Sequence, residues 1–194
     1  MKDAKKFVEF FHNLSSINRF SQFRLINPES VLEHTGMVTI TTMILCDMAG
    51  VPAAVAHGAL RHALVHDVDE MLTGDISNPT KYSSKNSEAL FRDIADINMR
   101  IICLEYDVPL YQDWNREDDV HHTIVKLADI LAVYYKAYQE IEMFSNKTMK
   151  DAIKKLIPAV MRRHARFIEE YPGAQEVTDL CEDVCEKIRQ LREV

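Results

Sequence analysis

Apolar residues recur along this chain at helical spacing, and no stretch shows the alternation of a half-buried strand. Phe7, Val8, Phe10, Phe11 and Leu14 line one side of a first helix over residues 3–14. Asn27-Pro28-Glu29-Ser30 opens a second, with proline suited to a first turn and Ser30 and Glu33 spaced for a capping box. This helix runs through His34 to about Met48, where Gly50 closes it. Pro52 opens a third, continuous from Ala53 to about Leu72, and Thr73–Lys81 then has the composition of a loop. Further helices are predicted over 86–105, 120–144, 148–170 and 174–192, the last two divided by Tyr171-Pro172-Gly173. Pro109–Arg116 reads as a linker, and Glu117-Asp118-Asp119 places negative charge at a helix start, where it is stabilising. The pattern predicts an all-α fold: one domain over residues 1–194, a helical bundle of about six or seven main helices.

Composition narrows the class. At 194 residues, 47% hydrophobic and 27% charged, the chain can bury one substantial core. No apolar run approaches the roughly 18 residues of a membrane span. Met1-Lys2-Asp3-Ala4-Lys5-Lys6 lacks the apolar centre of a signal peptide. Cys46, Cys103, Cys181 and Cys185 form no disulfide framework, and the last two, one turn apart, read as free thiols on a packed face. The expectation is an intracellular, cytoplasmic protein. A formal net charge of -7 argues against a nucleic-acid partner but not against a small phosphorylated ligand. The five glycines make no phosphate-cradling loop, so cations would have to hold any phosphate.

Chemistry concentrates in Arg61–Asp75, where His62, His66, Asp67, Asp69, Glu70 and Asp75 sit in a mostly apolar segment. Buried groups of this kind need compensation, and a metal ion supplies it. On a continuous helix His66 and Glu70 share a face, with Asp67 about 100° round. His66 and Asp67 could then bind one divalent ion while Glu70 orients a water for attack. His34 and Asp129, polar residues among apolar neighbours, are the best further ligands. The residues alone leave a plainer reading open, with His34 a satisfied core histidine and Asp129 paired to Lys126. His62 lies four before His66, but Ala63 stands where a zinc-protease helix needs glutamate, so His62 is expected behind the ligands or facing phosphate. His121 and His122 are expected to face solvent, and His12, His57 and His164 carry no signal.

The order His34, His66-Asp67, Asp129 resembles the HD-domain phosphohydrolase superfamily. Within it the chain is most similar to bacterial 5′-deoxynucleotidases and related deoxynucleotide triphosphohydrolases. The matching pieces, over about residues 14–140, are Ile17-Asn18-Arg19, Glu33-His34, His66-Asp67, Glu70, Leu72-Thr73-Gly74-Asp75, Pro79, Lys81-Tyr82 and Val125-Lys126-Leu127-Ala128-Asp129. The resemblance implies that His34, His66, Asp67 and Asp129 hold one divalent transition metal ion, with Mn²⁺, Co²⁺, Zn²⁺ and Ni²⁺ all chemically suitable. It implies that Glu70 positions or deprotonates the attacking water, and that Asp75 lies near the sugar and leaving oxygen. Arg19 and Lys81 would neutralise phosphate, and Phe20, His62, Gln22, Ile76 and Pro79 would line the pocket. Phe20 departs from the family, which has tryptophan there, and this bears on base and sugar preference.

The implied reaction is hydrolysis at the α-phosphorus of a 2′-deoxynucleoside 5′-monophosphate, giving deoxynucleoside and phosphate. The alternative is a triphosphohydrolase, with dATP one candidate substrate. Arg61, Lys85 and their neighbours would supply its extra cations, and the compact 31-residue spacer between His34 and His66 keeps it close. A non-catalytic nucleotide sensor is the third reading. Relatives self-associate, so a homo-oligomer is expected, with 148–170 and 174–192 able to supply the contact.

Overall fold

The computed structural model describes residues 4–108, 110, 114, 119–153 and 155–193. In chain order the helices are α1 (Ala4–Asn13), α2 (Val31–Met48), α3 (Ala53–Val65), α4 (Glu70–Thr73), α5 (Asn78–Lys81), α6 (Lys85–Tyr106), α7 (Val120–Glu142), α8 (Met149–Ile153), α9 (Leu156–Glu170) and α10 (Gln175–Glu193). A 3₁₀ turn, Leu14–Ser16, follows α1. The all-α expectation holds. Among the described residues the extended backbone pairing is a single antiparallel bridge between Asn18 and Ser30.

Three boundaries differ from the pattern reading. The helix expected over 53–72 is interrupted at His66-Asp67-Val68-Asp69. Glu70, Met71 and Leu72 donate to the carbonyls three residues back, at 3.1, 3.3 and 3.0 Å, so the chain is wound in 3₁₀-like turns. Aspartates, which compete for nearby backbone groups, favour such a break over helix interior. The helix expected over 148–170 is two, α8 and α9, because Pro158 is the third residue of α9. Its ring lacks the N–H, and clashes with the carbonyl, that a continuous helix would need. The expected loop at 73–81 contains the four-residue α5, with Pro79 in its first turn.

Helix starts follow local chemistry. The Ser30–Glu33 capping box is present, with Ser30 as N-cap, so Pro28 lies before the helix and not in its first turn. The Asp119 side chain caps α7, accepting from the His121 N–H at 3.1 Å. Most of the Pro109–Arg116 linker, together with Glu117 and Asp118, falls outside the described residues.

α7 is the central element. Its Ile124, Val125, Leu127, Ala128, Leu131, Tyr134 and Ala137 are buried and pack against α2, α3, α8 and α9. α10 closes this core with Val177, Cys181, Val184, Cys185 and Ile188, so the two cysteines are the packed free thiols expected. A smaller core joins Phe10, Leu14, Val31, Val65, Val68, Met99 and Ile102 from α1, α2, the end of α3 and α6. His66 follows Val65 of the small core directly, while Asp129 follows Ala128 of the large one. The polar cluster is thus held where the two cores meet.

Residues 17–30, which carry Arg19 and Phe20, have little regular structure of their own. They are tied to α7 by Glu140, which is fully buried and accepts from the N–H groups of Ile26 and Asn27, both at 2.9 Å. Asn146 Nδ2 donates to Glu140 at 2.7 Å and to the Arg24 carbonyl at 2.9 Å. Buried Lys136 lies 3.3 Å from Glu140 and donates to the Asn27 carbonyl. Among the described residues no helix is long and apolar enough to cross a membrane.

Candidate metal centre

His34 comes from the first turns of α2, His66 and Asp67 from the break after α3, and Asp129 from the middle of α7. One potential ligand atom from each of His34, His66 and Asp67 lies within 4.8 Å of the others. Asp129 joins through His34, with its Oδ1 3.1 Å from His34 Nε2. Asp67 Oδ2 is 3.1 Å from His66 Nε2 and 3.8 Å from His34 Nε2.

The tautomer of His66 decides what this cluster can hold. Its Nδ1 lies 2.7 Å from the Ala63 carbonyl, which can only accept, so Nδ1 carries a proton. Nε2 is buried and has no hydrogen-bond partner, although Asp67 stands beside it. In a neutral imidazole this sets a lone pair against a carboxylate, a conflict that either a second ring proton, which Asp67 favours, or a bound cation relieves. A cation between them removes the repulsion, and the imidazole–carboxylate donor set suits a divalent transition metal. The residues present therefore fit such an ion.

The charges are strongly perturbed. Burial opposes ionisation of Asp67, yet His66 and Arg19 outweigh it and hold this carboxyl well below the usual range. Asp129 is likewise held down against burial, by His34 and Lys126, whose Nζ lies 3.7 Å away. His66 is raised, because Asp67 overcomes the opposing effect of burial. His34 is pushed down to about 4, first by burial and then by the charge of Arg19, so it is neutral near pH 7.

Glu70 lies beside this group, buried, with Lys81 Nζ 3.1 Å from one oxygen. Its other oxygen has no hydrogen-bond partner. Burial, then Asp67, push its pKa up to about 8, the range in which a carboxylate exchanges protons near neutrality. Asp69, given no role by the helical reading, is raised to about 6 by burial and by Asp67. The 3₁₀ turns bring it into the field of Asp67 and Lys81.

Arg19 Nη1 donates to Asp67 Oδ2 at 2.8 Å, and its guanidinium lies 5.6 Å from the Phe20 ring centre. Asp75 accepts from the Phe20 N–H at 3.0 Å. Phe20 has φ +57°, a left-handed conformation unfavourable for a bulky residue and held here by that bond and the following turn. Asp75 thus fixes the backbone of the aromatic residue whose ring the sequence reading placed in the pocket.

The family model for YfbR-like 5′-deoxynucleotidases matches residues 6–172. The chain belongs to that family. The 5′-deoxynucleotidase plu3092 of Photorhabdus laumondii is 28% identical over 174 residues, covering 84% of this chain and 88% of its own. An HD-domain phosphohydrolase from Listeria innocua superposes with a TM-score of 0.70 at 18% identity, covering 97% of this chain and 95% of its own. The cyanophage S-2L HD phosphohydrolase DatZ, bound to dA and one catalytic Zn²⁺ ion, gives 0.51 at 18% identity, covering 84% of this chain and 96% of its own. Both structures share the fold, and the resemblance drawn from the motifs is borne out.

Within this YfbR-like chain the remaining expected residues differ in burial. His62 is buried, its ring 5.6 Å from that of His122 and perpendicular to it. Neither His121 nor His122 faces solvent freely: His121 Nδ1 pairs with Asp119 at 2.6 Å, and His122 is half-buried. Helical periodicity could not show this, because α3 covers both rings from another part of the chain. Gln22, Pro79, Arg61 and Lys85 are exposed. No sequence motif points to Glu29. It is buried beside Arg19 and His34, at 3.7 and 3.8 Å, in a stretch whose sequence signals only a helix start.

Proposed function

We propose that this chain is a metal-dependent 5′-deoxynucleotidase, converting 2′-deoxynucleoside 5′-monophosphates to deoxynucleoside and phosphate. The observation that carries the reading is the buried His34–His66–Asp67 cluster in a member of the YfbR-like 5′-deoxynucleotidase family. The relative from Photorhabdus laumondii is itself a 5′-deoxynucleotidase, which favours the monophosphate over the triphosphate. The cyanophage protein, which binds dA and Zn²⁺, supports a deoxyadenosine-type product and one transition metal ion.

His34, His66, Asp67 and Asp129 would hold the ion, which when bound polarises the phosphoryl oxygen and acidifies water. Glu70, its pKa pushed up to about 8, would take the proton of the attacking water. Lys81 holds Glu70 in place and would help neutralise the dianionic phosphate. Arg19 is poised to exchange part of its contact with Asp67 for phosphate oxygens. Phe20 would offer a face to the sugar or base, and Asp75 an oxygen to the 3′-hydroxyl, while its bond to the Phe20 N–H keeps the two in register. Lys126 tempers the charge of Asp129 from the far side.

Product analysis tests the assignment. The four deoxynucleoside monophosphates, their ribose counterparts and the four triphosphates are incubated with protein and Mn²⁺ or Co²⁺. Orthophosphate from the deoxy monophosphates, with little from the ribose forms, is expected. Intact tripolyphosphate from triphosphates alone would move the assignment to a triphosphohydrolase, and no hydrolysis of any would leave a nucleotide sensor.

A further inference from the structure

Residues 17–19 and 29–31 run side by side. Arg19 N–H donates to the Glu29 carbonyl at 2.8 Å, and Val31 N–H to the Ile17 carbonyl at 2.9 Å. This pairing sets the Glu29 side chain behind the metal cluster, where Oε2 is 3.7 Å from Arg19 Nε and 3.8 Å from His34 Nδ1. All three atoms are buried, and none has a hydrogen-bond partner within the protein. Three converging polar atoms in that state call for a reason.

His34 supplies one. A neutral imidazole has a single ring proton, and His34 Nε2 must keep its lone pair if it is to be a ligand. Yet Nε2 lies only 3.1 Å from Asp129 Oδ1, and a carboxylate at that distance draws the proton onto Nε2. Left to Asp129 alone, His34 would adopt the tautomer that cannot bind metal. A negative charge on the Nδ1 side opposes this, and Glu29 is the group placed there, its Oε2 3.8 Å from Nδ1 and beyond direct hydrogen-bond length. Burial pushes its pKa up to about 7, against which the Arg19 guanidinium beside it favours the carboxylate. The same oxygen faces Nε of Arg19, whose Nη1 is on Asp67.

We infer that Glu29 is a positioning residue for the metal site: it holds the His34 proton on Nδ1, leaving Nε2 open, and anchors Arg19 from behind. The inference rests on the metal reading above, but the tautomer it requires is a property of the metal-free protein as well. Glu29 is not among the proposed ligands of the ion. It acts through His34 and Arg19.

Two measurements on the full chain test this. In metal-free protein, ¹⁵N spectra of the histidine side chains should show His34, assigned by its loss in His34→Gln, protonated at Nδ1. In Glu29→Ala the proton should move to Nε2, and in Glu29→Gln, which keeps an acceptor oxygen, Nδ1–H should persist. Affinity for Mn²⁺ or Zn²⁺ alone, by chelator competition, should fall about 10- to 100-fold in Glu29→Ala, the range for groups supporting metal ligands, with partial rescue in Glu29→Gln. A folded Glu29→Ala with unchanged tautomer and metal affinity within about twofold of wild type would overturn the inference. If Glu29→Ala does not fold, Glu29→Gln decides: His34 protonated at Nε2 there despite the retained oxygen would also overturn it. A wild type that binds no metal but shows Nδ1–H would remove the metal reading alone, whereas a metal-binding wild type without Nδ1–H would remove the role of Glu29 alone.

Discussion

Replacing Glu140 by glutamine keeps the shape of a buried side chain and changes one oxygen to an NH₂ group. Oε1 accepts from Asn27 N–H at 2.9 Å and faces Lys136 Nζ at 3.3 Å. Oε2 accepts from Ile26 N–H at 2.9 Å and Asn146 Nδ2 at 2.7 Å. Whichever oxygen is replaced, two donors are left facing a donor, and the negative charge opposite Lys136 is lost. At about 1.5–3 kcal/mol for each charge-assisted bond, Glu140→Gln should cost about 3–6 kcal/mol. That is a large part of the roughly 5–15 kcal/mol that holds a domain folded. For a chain of this size that lowers Tm by about 6–24 °C.

The same contacts give the loss a pH signature. Burial alone would raise the Glu140 pKa, but bonds from Asn146, Ile26, Asn27 and Lys136 outweigh it and hold the group below its ordinary value. Its stabilisation is therefore complete above the unfolded glutamate value of about 4.3 and fades as pH falls through the lower folded-state value. Urea titrations followed by circular dichroism should show the widest gap between wild type and variant at pH 7, narrowing below about pH 4. Because the network ties down the stretch carrying Arg19 and Phe20, KM for the nucleotide should rise while metal affinity holds. A variant within about 1 kcal/mol of wild type at pH 7 would refute the reasoning.

Other substitutions probe different contacts. A Cβ at Gly58 would lie 2.3 Å from His121 Nε2, and that ring is pinned to Asp119, so Gly58→Ala should destabilise by about 1–3 kcal/mol despite alanine's helix preference. Adding His121→Ala should restore most of the loss in the same denaturation assay. Asp75→Ala removes the acceptor of the Phe20 N–H and should raise KM with little change in metal content, whereas Asp67→Ala should abolish metal content outright. Burial pushes the Cys46 thiol up to about 11 and Cys181 up to about 12, so neither should react with iodoacetamide until the chain unfolds, while half-buried Cys103 should react first. Peptide mapping after timed labelling checks this.

Much of the architecture was legible because it rests on local chemistry. The Ser30–Glu33 box, the apolar stripe of α7 and the proline–glycine boundary before α10 are each set by residues within a few positions of one another. The convergence of His34, His66, Asp67 and Asp129 was legible for a related reason: they stand out as polar residues among apolar neighbours, and their order matches the motif of the family they resemble. What escaped depends on tertiary structure. The turn at His66–Asp69 has the composition of a helix, and only its bonds to carbonyls three residues back reveal the break. Glu29 meets Arg19 and His34 because residues 17–19 pair with 29–31, a two-residue contact that leaves no periodic trace. Burial of His122 and the pinning of His121 follow from the close approach of α3 at Gly58. Asp75 was placed near the sugar, but its bond to the backbone of Phe20 lies across a separation that no motif spacing encodes.

The central claim is that this cluster performs metal-dependent hydrolysis of a deoxynucleoside monophosphate. Its most direct test is phosphorus NMR of dAMP incubated with chelator-stripped protein, before and after adding back Mn²⁺, Co²⁺ or Zn²⁺. Orthophosphate should be released only after metal is restored, and never by Asp67→Ala. Undiminished release by stripped protein, or by Asp67→Ala, would contradict the account.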